Sequence, residues 1–277
     1  MKTIQVKNYR LVFLFIFILQ NSLCGFAQEN KDDFPVFKSG EKIKYNAVYN
    51  WGLIWLNAGT VEFKVTDIKY KNAEAYHFSC YGTSLKSYDW FFKVRDYFQS
   101  YVNKETLYPY FFERNTYEDG YSVHDIYQFD YNDSLLYTKT KNSNKPYSED
   151  TIKLRPQTHD LISSVYFARN IDFDKYKINE TIPFRITLEN EFYDLHIRYL
   201  GKENIITHDN RQFKTIKFSV LLIEGTIFKK GEDLYVWVTD DLNRIPVLVD
   251  AKILIGSVKA TLVSTENLKF PLSSEIK

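Results

Sequence analysis

The sequence predicts a mainly β protein in which antiparallel, curved sheets form an open barrel or a sandwich from two related halves, with one short helix between them. Three observations predict this fold: short runs of alternating polar and apolar residues, a high aromatic content and an internal repeat. Aromatic residues make up 17% of the chain, with 22 Tyr and 22 Phe. Aromatic and β-branched residues favour the pleated, half-buried surface of a sheet.

The first 27 residues predict export. Basic residues near the start precede an apolar run at 11–19, and small residues at Gly25 and Ala27 suit cleavage by signal peptidase before Gln28. We therefore predict a signal peptide at 1–27 and an exported protein in the periplasm or at the inner face of the outer membrane.

Two alternatives stay open for this segment. A transmembrane anchor is one, although the apolar run is shorter than the roughly 20 residues that a helix needs to cross a bilayer. Lipoprotein-type acylation of Cys24 is the other, although that signal requires a small residue directly before the cysteine, where this chain has Leu23. We favour soluble export, with membrane association that is peripheral at most.

Residues 28–277 are predicted to form a single β domain. Cleavage leaves 33 Lys and Arg against 35 Asp and Glu, a net charge of −2. That balance argues against a nucleic-acid partner, because nucleic-acid-binding proteins carry a clustered basic face. Cys80 is the one cysteine left after cleavage, so no disulfide can form within the chain and a hydrophobic core must stabilise the fold.

The strands are predicted from alternation. A period of two places alternate side chains on a buried face and a solvated face, which is typical of antiparallel sheets. The alternating runs lie at 43–49, 61–66, 76–81, 94–102, 110–117, 123–131, 184–188, 194–199, 213–222, 234–238, 247–254 and 257–263.

One segment has helical spacing instead. Between residues 158 and 169, apolar residues recur at Leu161, Ile162, Val165 and Tyr166. This pattern predicts one short helix packed against the sheet, with Thr158 as its N-cap.

The internal repeat has an offset of about 137 to 140 residues. Residues 40–45 (GEKIKY) resemble 179–184 (NETIPF), and 77–79 (HFS) resemble 217–219 (KFS). Residues 100–109 and 236–246 each read as a strand, a polar turn and a proline that opens the next strand. We therefore predict a first half at about 40–131, a helical connector at about 132–178 and a second half at about 179–267.

The sequence contains no recognisable catalytic or metal-binding motif. The five histidines lack the spacings that hold zinc, and the ten glycines form no phosphate-binding loop. Asp89, Asp96, Asp160, Asp240 and Asp241 are candidate carboxylates for a glycosidase pair, but turn formation explains several of them as well. We predict no catalytic residues, no metal site and no cofactor, and we favour a non-enzymatic role.

Two aromatic stretches are candidate ligand contacts. Residues 86–96 mix Trp90 and Phe92 with alternating charges, and Arg95 offers a fork for a carboxylate or phosphate. The alternative is an edge strand protected by charges. Trp51 and Trp55 lie in a stretch that is apolar on both faces, which indicates a buried strand, a cavity lining or a partner-facing patch.

An ordered set of weak motifs resembles the domain of unknown function 3108 family, which is found in exported bacterial proteins. The motifs lie at 40–45, 57–60, 94–96, 106–109, 160–169, 237–246 and 252–258. The resemblance implies an exported β-rich domain and no established activity. The hairpin at 237–246 is more loosely similar to hairpins of periplasmic lipoprotein carriers, which are half-open barrels around acyl chains. We include Trp237 among the candidate ligand-binding residues.

These observations predict a non-enzymatic module that binds an apolar or amphipathic envelope ligand, such as a lipid, a lipoprotein or an envelope glycan. A carbohydrate-active enzyme and a structural partner in an outer-membrane assembly are the alternatives. The first requires two facing carboxylates in a cleft, about 5–10 Å apart, and the second requires an exposed apolar patch.

Overall fold

The computed structural model describes residues 34–51, 54–222, 231–252 and 257–276. The predicted signal peptide, including Cys24, lies outside these residues, and so do the side chains of Trp51 and Trp55. Both predictions therefore stay predictions.

The described residues form one continuous curved sheet with a single α-helix. Eight strands precede the helix region: Lys42–Trp51 (β1), Ile54–Tyr70 (β2), Ala73–Ser84 (β3), Val94–Asn103 (β4), Pro109–Glu118 (β5), Tyr121–Asp130 (β6), Leu135–Asn142 (β7) and Lys145–Lys153 (β8). Eight more lie around or after the helix: Thr158–His159 (β9), Thr181–Leu188 (β10), Glu191–Ile206 (β11), Gln212–Leu222 (β12), Gly231–Thr239 (β13), Pro246–Lys252 (β14), Ser257–Glu266 (β15) and Glu275–Ile276 (β16).

The sheet is built from two antiparallel meanders that meet at its middle. From β8 the strands run in order to β1, which pairs with β15, and from there they run back in order to β10 and β9. The two ends, β8 and β9, do not pair with each other, so the sheet is curved and open. The predicted fold class, a mainly β protein with an open barrel of two halves and one helix, is confirmed.

The two halves repeat the same strand pattern. Strands β1 to β6 correspond to β10 to β15 in order, and the matched entry turns have the same hydrogen bonds. The backbone N–H of Gly40 donates to Val65 at 2.8 Å, and that of Asn179 donates to Tyr199 at 2.7 Å. Strands β7 and β8 fall within the range assigned to the helical connector, so that part of the chain contains a hairpin as well as the helix.

The helix α1 spans Leu161–Arg169, and its N-cap lies two residues later than predicted. The prediction of Thr158 as N-cap is wrong, because Thr158 forms the short strand β9. Asp160 is the cap: its carboxylate accepts the backbone N–H groups of Ile162 and Ser163, and the Ser163 hydroxyl accepts the N–H of Asp160. These reciprocal bonds satisfy donors that a helix start otherwise leaves unpaired.

The helix packs between the two halves inside the curve. Ile162 and Tyr166 belong to the core of the first half, where the Tyr166 ring stacks on Phe78 at 3.8 Å between centroids. Phe167 and Ala168 face the core of the second half. A third cluster, which includes Tyr45 and Leu262, fills the junction at β1 and β15.

The two rims of the curved sheet differ. We call the rim where β3 ends and β4 begins the upper rim, and the rim where β4 ends and β5 begins the lower rim. At the lower rim the C-terminal end of α1 is fixed by Arg169, whose guanidinium binds both carboxylate oxygens of Glu41 at 2.6 and 3.0 Å and the carbonyl of Asn243 at 3.1 Å. All three residues are buried.

Candidate functional site

The candidate site is an apolar cavity of about 190 Å³ between α1 and the inner face of the second half. Helix residues form one wall and side chains of β10 to β14 form the other. The lining consists of Ser164, Val165, Ala168, Arg169, Phe184, Ile197, Phe218, Val220, Leu234, Val236, Val238, Pro246 and Val249.

The two polar side chains of this lining are already bonded. The Ser164 hydroxyl donates to the Leu161 carbonyl at 2.8 Å, within the helix. The Arg169 guanidinium is paired with Glu41. The described wall of the cavity is therefore apolar, and it favours an apolar ligand over a charged one.

At three matched positions the cavity wall of the second half carries smaller side chains than the first half does. Register aligns the halves: Phe78 pairs with Ser100 as Phe218 pairs with Val236. On this alignment three aromatic residues of the first half have aliphatic counterparts in the cavity wall. The matched pairs are Phe63 and Ile197, Phe98 and Leu234, and Phe112 and Val249.

The first half fills the corresponding space with rings. Phe112 and Phe78 are fully buried there, and Phe37 packs edge-on against Phe78 and Tyr166 at 5.3 and 5.0 Å. Three matched pairs run the other way, since Val65, Cys80 and Ser100 correspond to Tyr199, Val220 and Val236. Tyr199 packs on Phe173 rather than in the cavity.

Among the described residues, the part of the cavity lining near the upper rim is accessible to solvent. Val238 and Ile216, which pair near the lower rim, are buried, whereas Val220 and Leu234, which pair near the upper rim, are partly exposed. An apolar chain can therefore enter from the upper rim, and the lining residue Pro246 is partly exposed near the lower rim as well.

A larger concavity lies on the outer face of the first half. This groove of about 270 Å³ is lined by β6, β7 and β8, and includes Tyr137, Lys139 and Glu149. Lys139 and Glu149 form an exposed ion pair at 3.1 Å across it. Because its wall is charged and solvated, we regard the apolar cavity as the stronger candidate for a ligand site.

Two of the predicted ligand residues, Trp90 and Phe92, lie in an exposed loop at the upper rim. Trp90 is 83% exposed and Phe92 is 46% exposed. Arg95, predicted as a fork for an anion, is bound to both carboxylate oxygens of Asp89 at 3.1 and 2.6 Å. That hydrogen-bonded pair lowers the pKa of Asp89. Ligand contact at these residues stays a prediction.

Trp237 lies on the outer face of β13, opposite its cavity-lining neighbours Val236 and Val238. Its indole N–H donates to the Glu203 carboxylate at 2.6 Å, and Lys217 lies 4.7 Å from its ring centre. The residues that line the cavity were not among the sequence-derived candidates. The sequence signal for the cavity-lining residues is that the second half has aliphatic residues at positions where the first half has aromatic ones.

Four of the five candidate carboxylates have structural partners. Asp89 binds Arg95, and Asp160 caps α1. Asp240 binds Lys202 at 3.0 Å, and Asp241 accepts the backbone N–H of Asn243 in the turn between β13 and β14. Asp96 differs, because burial and the charge of Glu118 raise the pKa of its carboxyl to about 7.

The described residues lack two further features. They contain no group of three or more His, Cys, Asp or Glu side chains placed to hold a metal ion. Their helices include none with the length and apolarity needed to span a bilayer.

The fold and cavity define a class: an open, curved β sheet around one helix, with an apolar hollow in one half. The chain belongs to the family described as "Protein of unknown function (DUF3108)", whose pattern matches residues 44–263. The predicted resemblance is therefore confirmed. No curated protein matches the chain.

A solved structure has a similar fold. It is the crystal structure of a β-barrel-like protein of the domain of unknown function DUF1849 from Brucella abortus. The similarity has a TM-score of 0.53 at 10% sequence identity and covers 84% of this chain and 100% of that one. At this identity the likeness concerns the fold alone.

Proposed function

We propose that this protein is an exported, non-enzymatic binding module that holds the apolar part of an amphipathic ligand in the cavity between α1 and the second half. The observation that carries the proposal is the wall of the cavity, which is formed by β-branched and other aliphatic side chains and two aromatic rings. Apolar walls with an opening to solvent are typical of sites for lipids and similar ligands.

The size of the cavity limits the ligand. At about 190 Å³ it is somewhat larger than an apolar cavity of about 150 Å³ that accommodates benzene. It is smaller than the roughly 300–1,000 Å³ pockets that enclose whole drug-sized ligands. It fits the end of one acyl chain, with the polar headgroup outside at the upper rim. We therefore propose a lipid or lipoprotein acyl chain as the ligand class.

The proposal is tested by filling the cavity as the first half fills its own. In the variant Leu234→Phe/Val249→Phe, rings occupy the two positions that match Phe98 and Phe112. We expect the wild-type protein to bind a dansyl-labelled fatty acid saturably, with displacement by palmitate. The variant should lose about tenfold or more in affinity, because rings take up the space that the chain needs.

The matched control is Val263→Phe, which adds a ring at a position that is 43% exposed. This control should bind the probe as the wild type does. Unfolding midpoints of all three proteins show whether the filled variant remains folded. Saturable binding that survives in the folded Leu234→Phe/Val249→Phe variant would contradict the proposal, and so would a wild-type protein that binds no probe.

A further inference from the structure

The upper rim carries a loop, residues 85–93, whose three consecutive aromatic side chains point into solvent; we call it the aromatic loop. Trp90, Phe91 and Phe92 are 83%, 66% and 46% exposed. Large apolar side chains at such exposure are costly to leave in water. A contiguous apolar tip of this kind marks an interaction site.

The aromatic loop is braced. The backbone N–H groups of Phe91 and Phe92 both donate to the Tyr88 carbonyl at 2.9 Å, and the N–H of Leu85 donates to Ala58 of β2 at 3.0 Å. These bonds hold the rings outward in a fixed arrangement.

The base of the loop is fixed by charged groups. Asp89 accepts the Ser84 hydroxyl at 2.5 Å and both Arg95 contacts described above. Asp89 and Arg95 neutralise each other at the base of the loop. The base therefore presents no unpaired charge when the aromatic tip leaves water.

A second hairpin tip lies beside the loop. The N–H of Asp119, in the turn between β5 and β6, donates to the Lys93 carbonyl at 2.8 Å. Tyr117 and Tyr121 of this hairpin are 39% and 41% exposed. Tyrosine and tryptophan, with an apolar ring and a polar edge, are the side chains enriched where a membrane meets water.

The charges around the tip indicate which surface it meets. Lys86 and Lys93 are exposed on the loop, and Glu118 and Asp119 are exposed on the neighbouring hairpin. The positive and negative charges of these two hairpins balance, so this described part of the rim has no basic patch to recruit anionic lipid. Apolar insertion rather than charge must supply the attraction, and a zwitterionic bilayer with both headgroup charges is the matching surface.

We propose that the aromatic loop inserts into the headgroup region of a phospholipid bilayer and holds the upper rim against the membrane. The cavity opens toward the same rim, so an acyl chain could pass between bilayer and cavity without crossing open water. The proposal deepens the proposed function and rests on it for this last point. The insertion of the loop stands on the exposed rings alone.

The test is co-sedimentation of the full chain with vesicles of phosphatidylcholine. We expect the wild-type protein to bind, with little dependence on salt. The variant Trp90→Ser/Phe91→Ser should bind about tenfold less or weaker still, because two rings no longer enter the bilayer. The control Ile206→Ser removes an apolar side chain of matched exposure, 67%, at the lower rim and should bind as the wild type does. All variants share one N-terminus, so any contribution of residues 1–27 is common to them.

A second readout locates the contact. Brominated phosphatidylcholine should quench tryptophan fluorescence in the wild type, and the variant Trp90→Phe should lose that quenching while it still binds. Vesicle binding that is unchanged in Trp90→Ser/Phe91→Ser, or equally reduced in Ile206→Ser, would overturn the proposal. Absent binding of the wild type would do the same and would assign the loop to a protein partner.

The two proposals fail separately. Binding of the dansyl-labelled fatty acid is measured without vesicles, and we expect Trp90→Ser/Phe91→Ser to retain it. The filled variant Leu234→Phe/Val249→Phe should in turn retain vesicle binding. If the filled variant binds neither lipid probe nor vesicles while folded, the membrane contact depends on the cavity and the independent role of the loop is rejected.

Discussion

At the scale of single residues, the ion pair between Glu41 and Arg169 joins parts of the chain 128 positions apart. Both side chains are almost fully buried, at 1% and 2% exposure. Arg169 also binds the Asn243 carbonyl in the turn between β13 and β14. The pair therefore connects the entry to β1, the end of α1 and the second half at one buried point.

Removal of one partner from this pair should be strongly destabilising. In Glu41→Gln the buried guanidinium loses its counter-charge, and we expect the free energy of unfolding to fall by about 3–5 kcal/mol. Urea unfolding followed by circular dichroism measures this. The control is Asp194→Asn, since Asp194 pairs with Arg155 and Arg185 at the surface, and its loss should cost about 1 kcal/mol or less. Equal effects of the two substitutions would contradict the structural role of the buried pair.

Asp160 gives a pH-dependent contribution of known sign. Its carboxyl is fully buried, and burial raises its pKa from 3.8 to about 6, even though Ser100 and two backbone N–H groups favour the charged form. The folded state therefore holds a proton more tightly than the unfolded state. Stability from this group is present below about pH 4 and is lost as the pH rises through about 6.

The prediction is a change in slope. In Asp160→Asn, stability should fall less between pH 4 and 6 than in the wild type, as measured by urea unfolding across that range. His159 acts in the opposite direction, because burial lowers its pKa from 6.5 to about 4. The comparison must therefore be the difference between variant and wild type at each pH. A difference that stays constant with pH would show that Asp160 does not titrate in this window.

At the scale of elements, the pairing of β2 with β3 leaves no room for a side chain at Gly59. A Cβ atom at Gly59 would lie 2.2 Å from the Thr83 carbonyl oxygen. The backbone there has no room for a side chain, so the glycine sets the distance between two core strands.

Gly59→Ala should therefore be severely destabilising, by about 2 kcal/mol or more, because a backbone atom has to move. Gly82→Ala on the neighbouring strand is the matched control. Its added Cβ meets the Asp96 side chain at 3.7 Å, an ordinary contact, and we expect a change within about 1 kcal/mol. Thermal and urea unfolding of the two variants measure the difference, and similar losses would refute the steric argument.

Alternation and the repeat predict most strands, because each inward side chain contributes to one buried face. They do not identify β7, β8 or the two-residue strands β9 and β16. The residues of β8 are nearly all exposed, and an edge strand without a buried face carries no such pattern. The sequence alone also does not distinguish between two candidate caps of α1. Thr158 and Asp160 are both good caps by residue type, and only the sheet pairing of Thr158 with Arg185 distinguishes them.

The candidate site was less predictable than the fold. The aromatic loop stands out in the sequence because it combines bulky aromatic residues with alternating charges. The cavity has no comparable signal in the sequence, because its wall combines α1 with five strands that are distant in the chain. It also depends on small side chains that leave space unfilled, and not on one distinctive residue. A comparison of the two repeats reveals it only after the register aligns Phe98 with Leu234 and Phe112 with Val249.

At the scale of the whole molecule, the two halves are one structural unit. Strands β1 and β15 pair from Lys42 and Glu266 to Asn50 and Ser257. The turn between β10 and β11 reaches across to the first half, where the N–H of Glu189 donates to the Tyr127 hydroxyl at 2.8 Å. One half is filled with rings and the other contains the hollow, so the first half serves as a rigid support for the cavity in the second.

This coupling predicts a single unfolding transition, with coincident midpoints by far-ultraviolet circular dichroism and tryptophan fluorescence. A ligand that binds the cavity should then stabilise both halves together, by about 2.7 kcal/mol at a free concentration 100 times its dissociation constant. Palmitate should raise both midpoints equally in the wild type and neither in Leu234→Phe/Val249→Phe. If the two probes separated, with one midpoint rising on addition of palmitate and the other fixed, the halves would unfold independently. Ligand binding stabilises only the residues that unfold together with the binding site. The cavity would then belong to a unit that the first half does not support.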